Sequence, residues 1–89
     1  MIDDATFIEY MDRVNALRES NMVTAGLWNG YRNGLRRLRF GEGFGTEAQH
    51  VLRMTIPLDD PDPSRGEYGR GYRAGYSGED PACLAGQDA

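Results

Sequence analysis

The sequence predicts a small, all-α, single domain of three to four helices. Apolar residues recur at the helical spacing of three and four positions in several segments, and clusters of glycine, proline, serine and asparagine separate these segments. Apart from a few residues around positions 54–58, no segment alternates polar and apolar side chains as a half-buried strand does. The 89 residues suffice for one modest core. We therefore expect a helical domain over residues 1–77 and a flexible acidic tail over residues 78–89.

The first predicted helix follows a pair of aspartates near the N-terminus. Asp3 or Asp4 can cap its start, because a side-chain oxygen at that position accepts a hydrogen bond from the backbone of the first turn. Its apolar side chains share one face at the helical period: Phe7, Tyr10, Met11, Val14 and Leu17. Ser20 and Asn21 then indicate a break.

A second helix is predicted from about residue 23 to residue 40, and three kinds of side chain divide its surface. The apolar stripe is Leu27, Tyr31, Leu35 and Leu38. The basic stripe is Arg32, Arg36 and Arg39, with Trp28 between the two stripes. Glycine occupies every fourth position on another side, at Gly26, Gly30 and Gly34. Three glycines in residues 41–45 end the helix, since glycine favours turns and left-handed backbone.

Two further helices are predicted in the second half of the chain. The segment from Thr46 to Gln49 matches a capping box and opens a short third helix, which ends before Pro57 because proline disfavours helix in the residue before it. We expect its apolar side chains to face inward: Ala48, Val51 and Leu52. A second capping box at residues 64–67 is expected to start a fourth helix. Three tyrosines line one face of it, and we expect two of them in the core: Tyr68, Tyr72 and Tyr76.

One five-residue motif occurs twice, once in each of the two glycine-bearing helices. Residues 30–34 read Gly-Tyr-Arg-Asn-Gly, and residues 71–75 read Gly-Tyr-Arg-Ala-Gly. Glycine costs about 1 kcal/mol relative to alanine inside a helix, so a helix that keeps several glycines needs a compensating contact. The repeat predicts that the second and fourth helices cross at close range.

The net charge is −4, from 14 acidic and 10 basic residues, and the chain is acidic, then basic, then acidic along its length. Every basic residue is arginine, which suits bidentate and stacked contacts at interfaces. The single cysteine excludes an intramolecular disulfide. Acidic residues near the N-terminus and the lack of a long apolar run argue against an export signal and a membrane span. We therefore expect a cytoplasmic protein with no membrane partner.

The titratable residues carry no signature of an enzyme, a metal site or a cofactor site. His50 and Cys83 are the single histidine and the single cysteine, and no third residue is placed to orient a histidine base for a cysteine nucleophile. One histidine and one cysteine also fall short of a zinc site. The acidic segment 59–62 lacks the spacing of a calcium loop. The glycines of residues 41–45 follow a helix, and the lysine of a nucleotide-binding loop is missing.

Two surfaces are candidates for contact with a partner. Arginine and aromatic side chains are enriched in protein-binding hot spots, and the candidates of these types are Trp28, Arg32, Arg36, Arg39, Tyr68 and Tyr72. The alternative is an acidic face that can occupy a basic groove meant for nucleic acid: Asp12, Glu19, Asp59, Asp60 and Asp62. Direct binding of nucleic acid through the arginine stripe is a further alternative, which the negative net charge opposes. Self-association stays open as well.

Residues 71–78 read Gly-Tyr-Arg-Ala-Gly-Tyr-Ser-Gly and are followed by Cys83, and this stretch resembles the first helix of ribosome modulation factor. That small bacterial family has a Gly-Tyr-x-Ala-Gly-x-x-Gly stretch with a cysteine soon after it, and it binds ribosomes to inactivate them. The resemblance covers residues 71–83 and implies a ribosome-associated role. In general character, a short, acidic, lysine-free helical chain is similar to proteins encoded by phages and mobile elements, among them anti-CRISPR proteins.

These observations predict a non-catalytic binding protein, in character an inhibitor encoded by a phage or a mobile element. We expect it to occlude a surface of a larger bacterial complex that handles nucleic acid. The alternatives are a ribosome-associated modulation factor and a small nucleic-acid-binding regulator that uses the arginine stripe.

Overall fold

The computed structural model describes residues 2–85, and the chain folds into four helices of at least eight residues with one short helix near the C-terminal end. The helices are α1 (Asp4–Glu19), α2 (Ala25–Phe40), α3 (Glu47–Met54), α4 (Pro63–Tyr76) and α5 (Ala82–Ala85), and a 3-10 turn at Gly41–Gly43 follows α2. No strand occurs within residues 2–85. The prediction of a small all-α domain is confirmed.

Predicted side-chain caps begin α1 and α3. The Asp3 carboxylate accepts a hydrogen bond from the Thr6 amide at 2.8 Å. At α3 the capping box is present: the Thr46 hydroxyl accepts from the Gln49 amide, and the Gln49 side-chain oxygen accepts from the Thr46 amide. Each cap satisfies a backbone donor that the helix itself leaves free, and a cap of this kind contributes about 1 kcal/mol.

The start of α4 differs from the prediction. The helix begins at Pro63, and the Asp62 carboxylate caps it by accepting a hydrogen bond from the Ser64 amide at 3.0 Å. The predicted capping box with Ser64 as the cap is therefore wrong. Proline is favoured at the first helical position because its fixed φ suits the helix and no backbone donor is needed there.

The core is built mainly from α1, α2 and the end of the chain. Its buried apolar side chains are Ile2, Val14, Val23, Leu27, Tyr31, Leu35, Ala74 and Leu84. The rest of the predicted apolar face of α1 packs against them, partly buried: Phe7, Tyr10, Met11 and Leu17. In α2 the predicted apolar stripe is buried as well, with Leu38 partly exposed at its end. Both predicted faces are confirmed.

α2 and α4 run in the same direction, and where they cross their backbones are in contact at the repeated glycines. An ideal β-carbon on Gly30 would lie 2.8 Å from the Tyr72 amide nitrogen, and one on Gly34 would lie 2.9 Å from the Tyr76 amide nitrogen. Real β-carbons essentially never come within 3.0 Å of another such atom. The close crossing predicted from the repeat is confirmed, and it requires glycine at these positions.

The contact between the two helices is reciprocal. Gly71 faces the Tyr31 amide nitrogen as Gly30 faces that of Tyr72, with 2.9 Å between an ideal β-carbon on Gly71 and the nitrogen. Gly71 follows Gly30 by 41 positions, and Tyr72 follows Tyr31 by the same number. The two helices are therefore related by an approximate two-fold axis, which makes each residue of α2 equivalent to the residue of α4 that lies 41 positions later.

α3 turns its apolar side to solvent, against the prediction. Ala48, Val51 and Leu52 are exposed, Val51 by 50% and Leu52 by 63%. Polar side chains of α3 contact the rest of the domain: Glu47 pairs with Arg37 on α2, and His50 and Arg53 lie against Tyr72 on α4. The predicted inward packing of the apolar side is wrong because the surface beneath α3 consists of tyrosine rings and hydroxyl groups from α4, and polar side chains hydrogen-bond and stack on these groups.

Residues 78–85 belong to the segment predicted as a flexible tail, and they pack on the domain. Pro81 and Leu84 are buried, and the Tyr31 hydroxyl donates a hydrogen bond to the Glu79 carbonyl oxygen at 2.7 Å. The helical domain thus extends to residue 85. Residues 86–89, the remainder of the predicted tail, lie outside the described residues.

Candidate protein interface

The outward side of α2 begins at Trp28. The indole Nε1 donates a hydrogen bond to the Asn15 side-chain oxygen at 2.8 Å, which fixes the ring against α1. One turn later, the Cζ of Arg32 lies over the indole ring, 4.3 Å from its centre. A cation over an aromatic face contributes about 0.5–1 kcal/mol at an exposed site. Trp28 thus holds the Arg32 guanidinium in one place on the surface of α2.

Arg32 has neither a carboxylate partner nor a hydrogen-bond acceptor within residues 2–85, and its Nε is buried without a partner. Burial lowers the pKa of Arg32, and the positive charge of Arg36 lowers it further. Arginine nevertheless remains protonated in proteins. A buried donor without an acceptor costs about 1–3 kcal/mol, so the domain holds Arg32 here at a cost in stability.

Arg36 continues this surface one turn beyond Arg32. Its Nη1 donates to the Asn33 side-chain oxygen at 3.3 Å, and its Cζ lies 5.8 Å from the centre of the Phe44 ring. Asn33 in turn donates from Nδ2 to the Tyr68 hydroxyl at 2.8 Å, which joins α2 to α4. In the described part of the chain no carboxylate pairs with Arg36. Two neighbouring positive charges therefore stand among aromatic rings without acids of their own.

We call this surface the α2 outer face, and its half-buried residues are Trp28, Arg32, Asn33, Arg36, Phe44 and Tyr68. The structure brings together four of the six predicted arginine and aromatic contact residues on it. Sequence reasoning missed Asn33 and Phe44. Asn33 precedes Arg36 by three positions, a spacing that makes side chains neighbours on a helix, so a signal was present. Phe44 lies in a glycine-rich turn, and nothing in its local pattern indicates that it reaches α2.

The other two predicted contact residues lie elsewhere. Arg39 pairs with Asp4 on α1, and its Nε donates to the carboxylate at 2.7 Å. Tyr72 is fully buried, so its place among the predicted contact residues is corrected. The reason is the glycine repeat, which brings the backbone of α2 onto α4 around Tyr72 and closes that position to any partner.

His50 links α3 to α4. Its Nδ1 lies 2.8 Å from the Tyr72 hydroxyl oxygen. Burial lowers the pKa of His50 from its ordinary value. Among the nearby charges, Arg37 and Arg53 lower this pKa further and Glu47 opposes them. The imidazole is therefore neutral at pH 7, and its contacts are those of a structural side chain that positions α3.

Arg37 contrasts with Arg32, because acceptors within the same chain bind both terminal nitrogens of the Arg37 guanidinium. It is 6% exposed, its Nη1 donates to the Gly45 carbonyl oxygen at 2.7 Å, and its Nη2 donates to the Glu47 carboxylate at 2.9 Å. These bonds hold the turn before α3 against α2. Arg37 is thus bound by acceptors of its own chain, whereas the buried Nε of Arg32 has none within residues 2–85.

The five residues of the predicted acidic contact face fall into two groups in the structure. Asp60 pairs with Arg65 at 3.7 Å and accepts a hydrogen bond from the Asp62 amide at 2.9 Å, while Asp62 caps α4. These two carboxylates shape the connector that precedes α4. The remaining three are exposed and have no bonded partner between residues 2 and 85: Asp12, Glu19 and Asp59.

Within residues 2–85, no group of three or more histidine, cysteine, aspartate and glutamate side chains is placed to hold a metal ion. Over the same residues, no helix has the length and apolar character needed to cross a membrane.

Comparison with known proteins gave no match to a family model, a curated protein or a solved structure.

Proposed function

We propose that this protein is a non-catalytic binding protein that covers a surface of a larger protein complex with its α2 outer face. The observation that carries the proposal is the pair Arg32 and Arg36. Neither side chain meets a carboxylate within residues 2–85, although the chain has 14 acidic residues against 10 basic ones. Arg36 donates to the Asn33 side-chain oxygen, and acceptors for the remaining donors of these two arginines are expected to come from another molecule.

The pair also lowers the stability of the isolated domain. Like charges four positions apart on a helix destabilise it by about 0.2–0.5 kcal/mol, and Arg32 adds the cost of its buried Nε. A partner with acceptor groups offsets the repulsion between the two guanidinium groups. This supports a surface that is completed by binding.

The composition of the α2 outer face suits a protein partner. Tryptophan, tyrosine and arginine are the residue types that dominate binding energy at protein interfaces, and they lie side by side here. A nucleic acid brings one negative charge per phosphate, which the net charge of −4 and the exposed acids of α1, Asp12 and Glu19, repel. The charge of the domain therefore disfavours nucleic acid as the direct partner.

The inhibitor role is proposed from the character of the sequence. Short, acidic, lysine-free helical chains are similar to phage and mobile-element proteins that block host complexes, and the expected target is a bacterial complex that handles nucleic acid. A domain of this size is expected to act by steric occlusion, with one copy covering one surface.

The experiment is affinity capture of the tagged full chain from a nuclease-treated bacterial lysate, read by mass spectrometry. We compare the unchanged protein with the double variant Arg32→Gln/Arg36→Gln. The matched control is Arg18→Gln/Arg70→Gln, which also removes two half-buried arginines that form no ion pair between residues 2 and 85. We expect one protein complex in stoichiometric amount, recovered equally by the control and about tenfold less by the α2 variant.

The other outcomes count against the proposal. Equal recovery by both double variants would show that the α2 outer face is not the contact. Recovery from a parallel untreated lysate that disappears on nuclease treatment would indicate nucleic acid as the partner. Recovery of ribosomal proteins would favour the ribosome-associated role that the resemblance over residues 71–83 implies.

A further inference from the structure

The approximate two-fold relation between α2 and α4 makes Arg32 equivalent to Arg73, which follows it by 41 positions. Arg73 has acceptors: its Nη1 donates to the carbonyl oxygens of Met54 and Ile56, each at 2.8 Å. Met54 is the last residue of α3, so its carbonyl is one of those that a helix leaves without an internal partner. One of the two equivalent arginines thus caps the end of a helix.

Two other arginines donate to main-chain carbonyls beside helix ends. Arg37 reaches the Gly45 carbonyl at 2.7 Å, just before α3, and Arg18 reaches the Val23 carbonyl at 3.3 Å, between α1 and α2. Three arginines of the described residues, Arg18, Arg37 and Arg73, thus donate to main-chain carbonyls next to a helix, and Arg73 does so at a helix C-terminus.

The counterpart of the segment over Arg73 is missing at Arg32. Ile56 reaches α4 because Gly69 leaves room for it: a β-carbon on Gly69 would lie 2.7 Å from the Ile56 Cβ. The equivalent of Gly69 on α2 is Trp28, which carries a bulky indole in place of a hydrogen. No segment of residues 2–85 supplies carbonyls to Arg32, and because its Nε is shielded, Nη1 and Nη2 are the atoms left for an outside acceptor.

We propose that Arg32, together with Arg36, binds the C-terminal end of a helix in the protein partner, with the last main-chain carbonyl oxygens as acceptors. This rests on the proposed function and names the part of the partner that the α2 outer face contacts. The last four carbonyls of a helix have no internal partners, and that end carries about half a negative elementary charge. Two guanidinium groups one turn apart offer it both donors and positive charge.

The test follows the arginine side-chain NMR signals of the full 15N-labelled chain during titration with a probe peptide. The probe is an alanine- and glutamine-rich helical peptide, acetylated at its N-terminus and amidated at its C-terminus, so it offers carbonyls without a carboxylate. We expect the Nε–Hε signals of Arg32 and Arg36 to shift in a saturable way. The signal of Arg70, half-buried on α4 and without a bonded partner in the described residues, serves as the internal control and stays in place.

Two matched comparisons sharpen the test. A second peptide carries lysines in its last turn, whose side chains compete for the same carbonyls, and we expect it to bind about tenfold more weakly. The variant Arg32→Lys keeps the charge but loses the planar fork of donors, and we expect it to weaken probe binding about fivefold. The variant Arg70→Lys should leave probe binding unchanged.

Three results would overturn the proposal: no shift of Arg32 up to about 10 mM peptide, equal shifts with the lysine-bearing peptide, or saturation by inorganic phosphate or a short oligothymidylate at lower concentration than by the peptide. Failure of the proposed function looks different. If lysate capture depends on Arg32 and Arg36 while the peptide gives no shift, the proposed function stands and the helix-end proposal fails. If the peptide binds while capture is independent of both arginines, the proposed function fails.

Discussion

The backbone of Gly30 on α2 lies against the backbone of Tyr72 on α4, so closely that a β-carbon at position 30 would come within 2.8 Å of the Tyr72 amide nitrogen. A side chain at the periphery of a contact can rotate away, but the backbone of a packed helix has no such freedom. The same relation recurs between Gly71 and Tyr31, so each of the two helices must lack a side chain where it meets the other.

Replacing Gly30 with alanine should therefore destabilise the domain strongly. We expect Gly30→Ala to lower the free energy of unfolding by about 3 kcal/mol, because the added methyl group forces the two helices apart. The measurement is urea denaturation followed by circular dichroism. The matched control is Gly43→Ala, since a β-carbon on Gly43 meets nothing within 4 Å, and it should change stability by less than about 0.5 kcal/mol. Equal effects of the two variants would show that the helices do not cross as described.

His50 should make the stability of the domain depend on pH near neutrality. Its pKa in the folded state is lowered from the ordinary 6.5, chiefly by burial and then by Arg37, so the unfolded chain takes up the proton more readily. Stability is therefore complete above about pH 7 and falls as the pH drops from there towards the lowered folded pKa. Urea midpoints between pH 5 and 7.5 should decrease with acid, and the variant His50→Asn should reduce this slope. A slope that survives in the variant would assign the effect to other groups.

The exposed apolar side of α3 should tolerate polar substitution. Leu52 is 63% exposed, and Leu52→Gln should change the free energy of unfolding by less than about 0.5 kcal/mol. Ile56 is 7% exposed and fills the space above Gly69, so Ile56→Ala should cost about 2–3 kcal/mol. Thermal unfolding of both variants gives the comparison. A loss at Leu52 as large as at Ile56 would mean that α3 packs its apolar side inward.

The Tyr31 hydroxyl should tie the C-terminal segment to the core. In Tyr31→Phe a fully buried side chain loses its hydroxyl, and the Glu79 carbonyl oxygen loses the donor that lies 2.7 Å away, so we expect a cost of about 1–2 kcal/mol. Tyr68→Phe removes a hydroxyl that is bonded to Asn33 at a half-buried site, and water can replace it, so about 0.5 kcal/mol or less is expected. Hydrogen exchange of residues 79–85 should accelerate in the first variant only. Unchanged hydrogen exchange of residues 79–85 in Tyr31→Phe would show that the Tyr31 hydroxyl does not hold this segment to the core.

The helix crossing was predictable because its cause is local. Glycine within a helix has a known cost, and a repeat that carries this cost at Gly30 and again at Gly71 indicates that two helices approach closely. The apolar faces of α1 and α2 were predictable for the same reason, since long periodic segments define one buried side.

The orientation of α3 was not predictable in this way. Periodicity in an eight-residue helix identifies side chains that share a face, but which face turns inward depends on the surface it meets. Here that surface consists of Tyr72 and Tyr76, which follow His50 by 22 and 26 positions. His50 hydrogen-bonds to the Tyr72 hydroxyl, a contact that the apolar side chain of Val51 cannot make. The lack of an acceptor for Arg32 within residues 2–85 could not be predicted from the sequence either, because it depends on the whole tertiary structure.

The equivalence of the two glycine-bearing helices also has a consequence for how the chain folds. Gly30 and Gly71 are 41 positions apart in a chain of 89 residues, so roughly half of the chain must close into a loop before the first glycine contact forms. Contacts of such long range slow folding relative to helical domains that are held together by neighbours in sequence. We therefore expect the meeting of α2 with α4 to limit the folding rate, and an alanine at either glycine to slow folding as well as to lower stability.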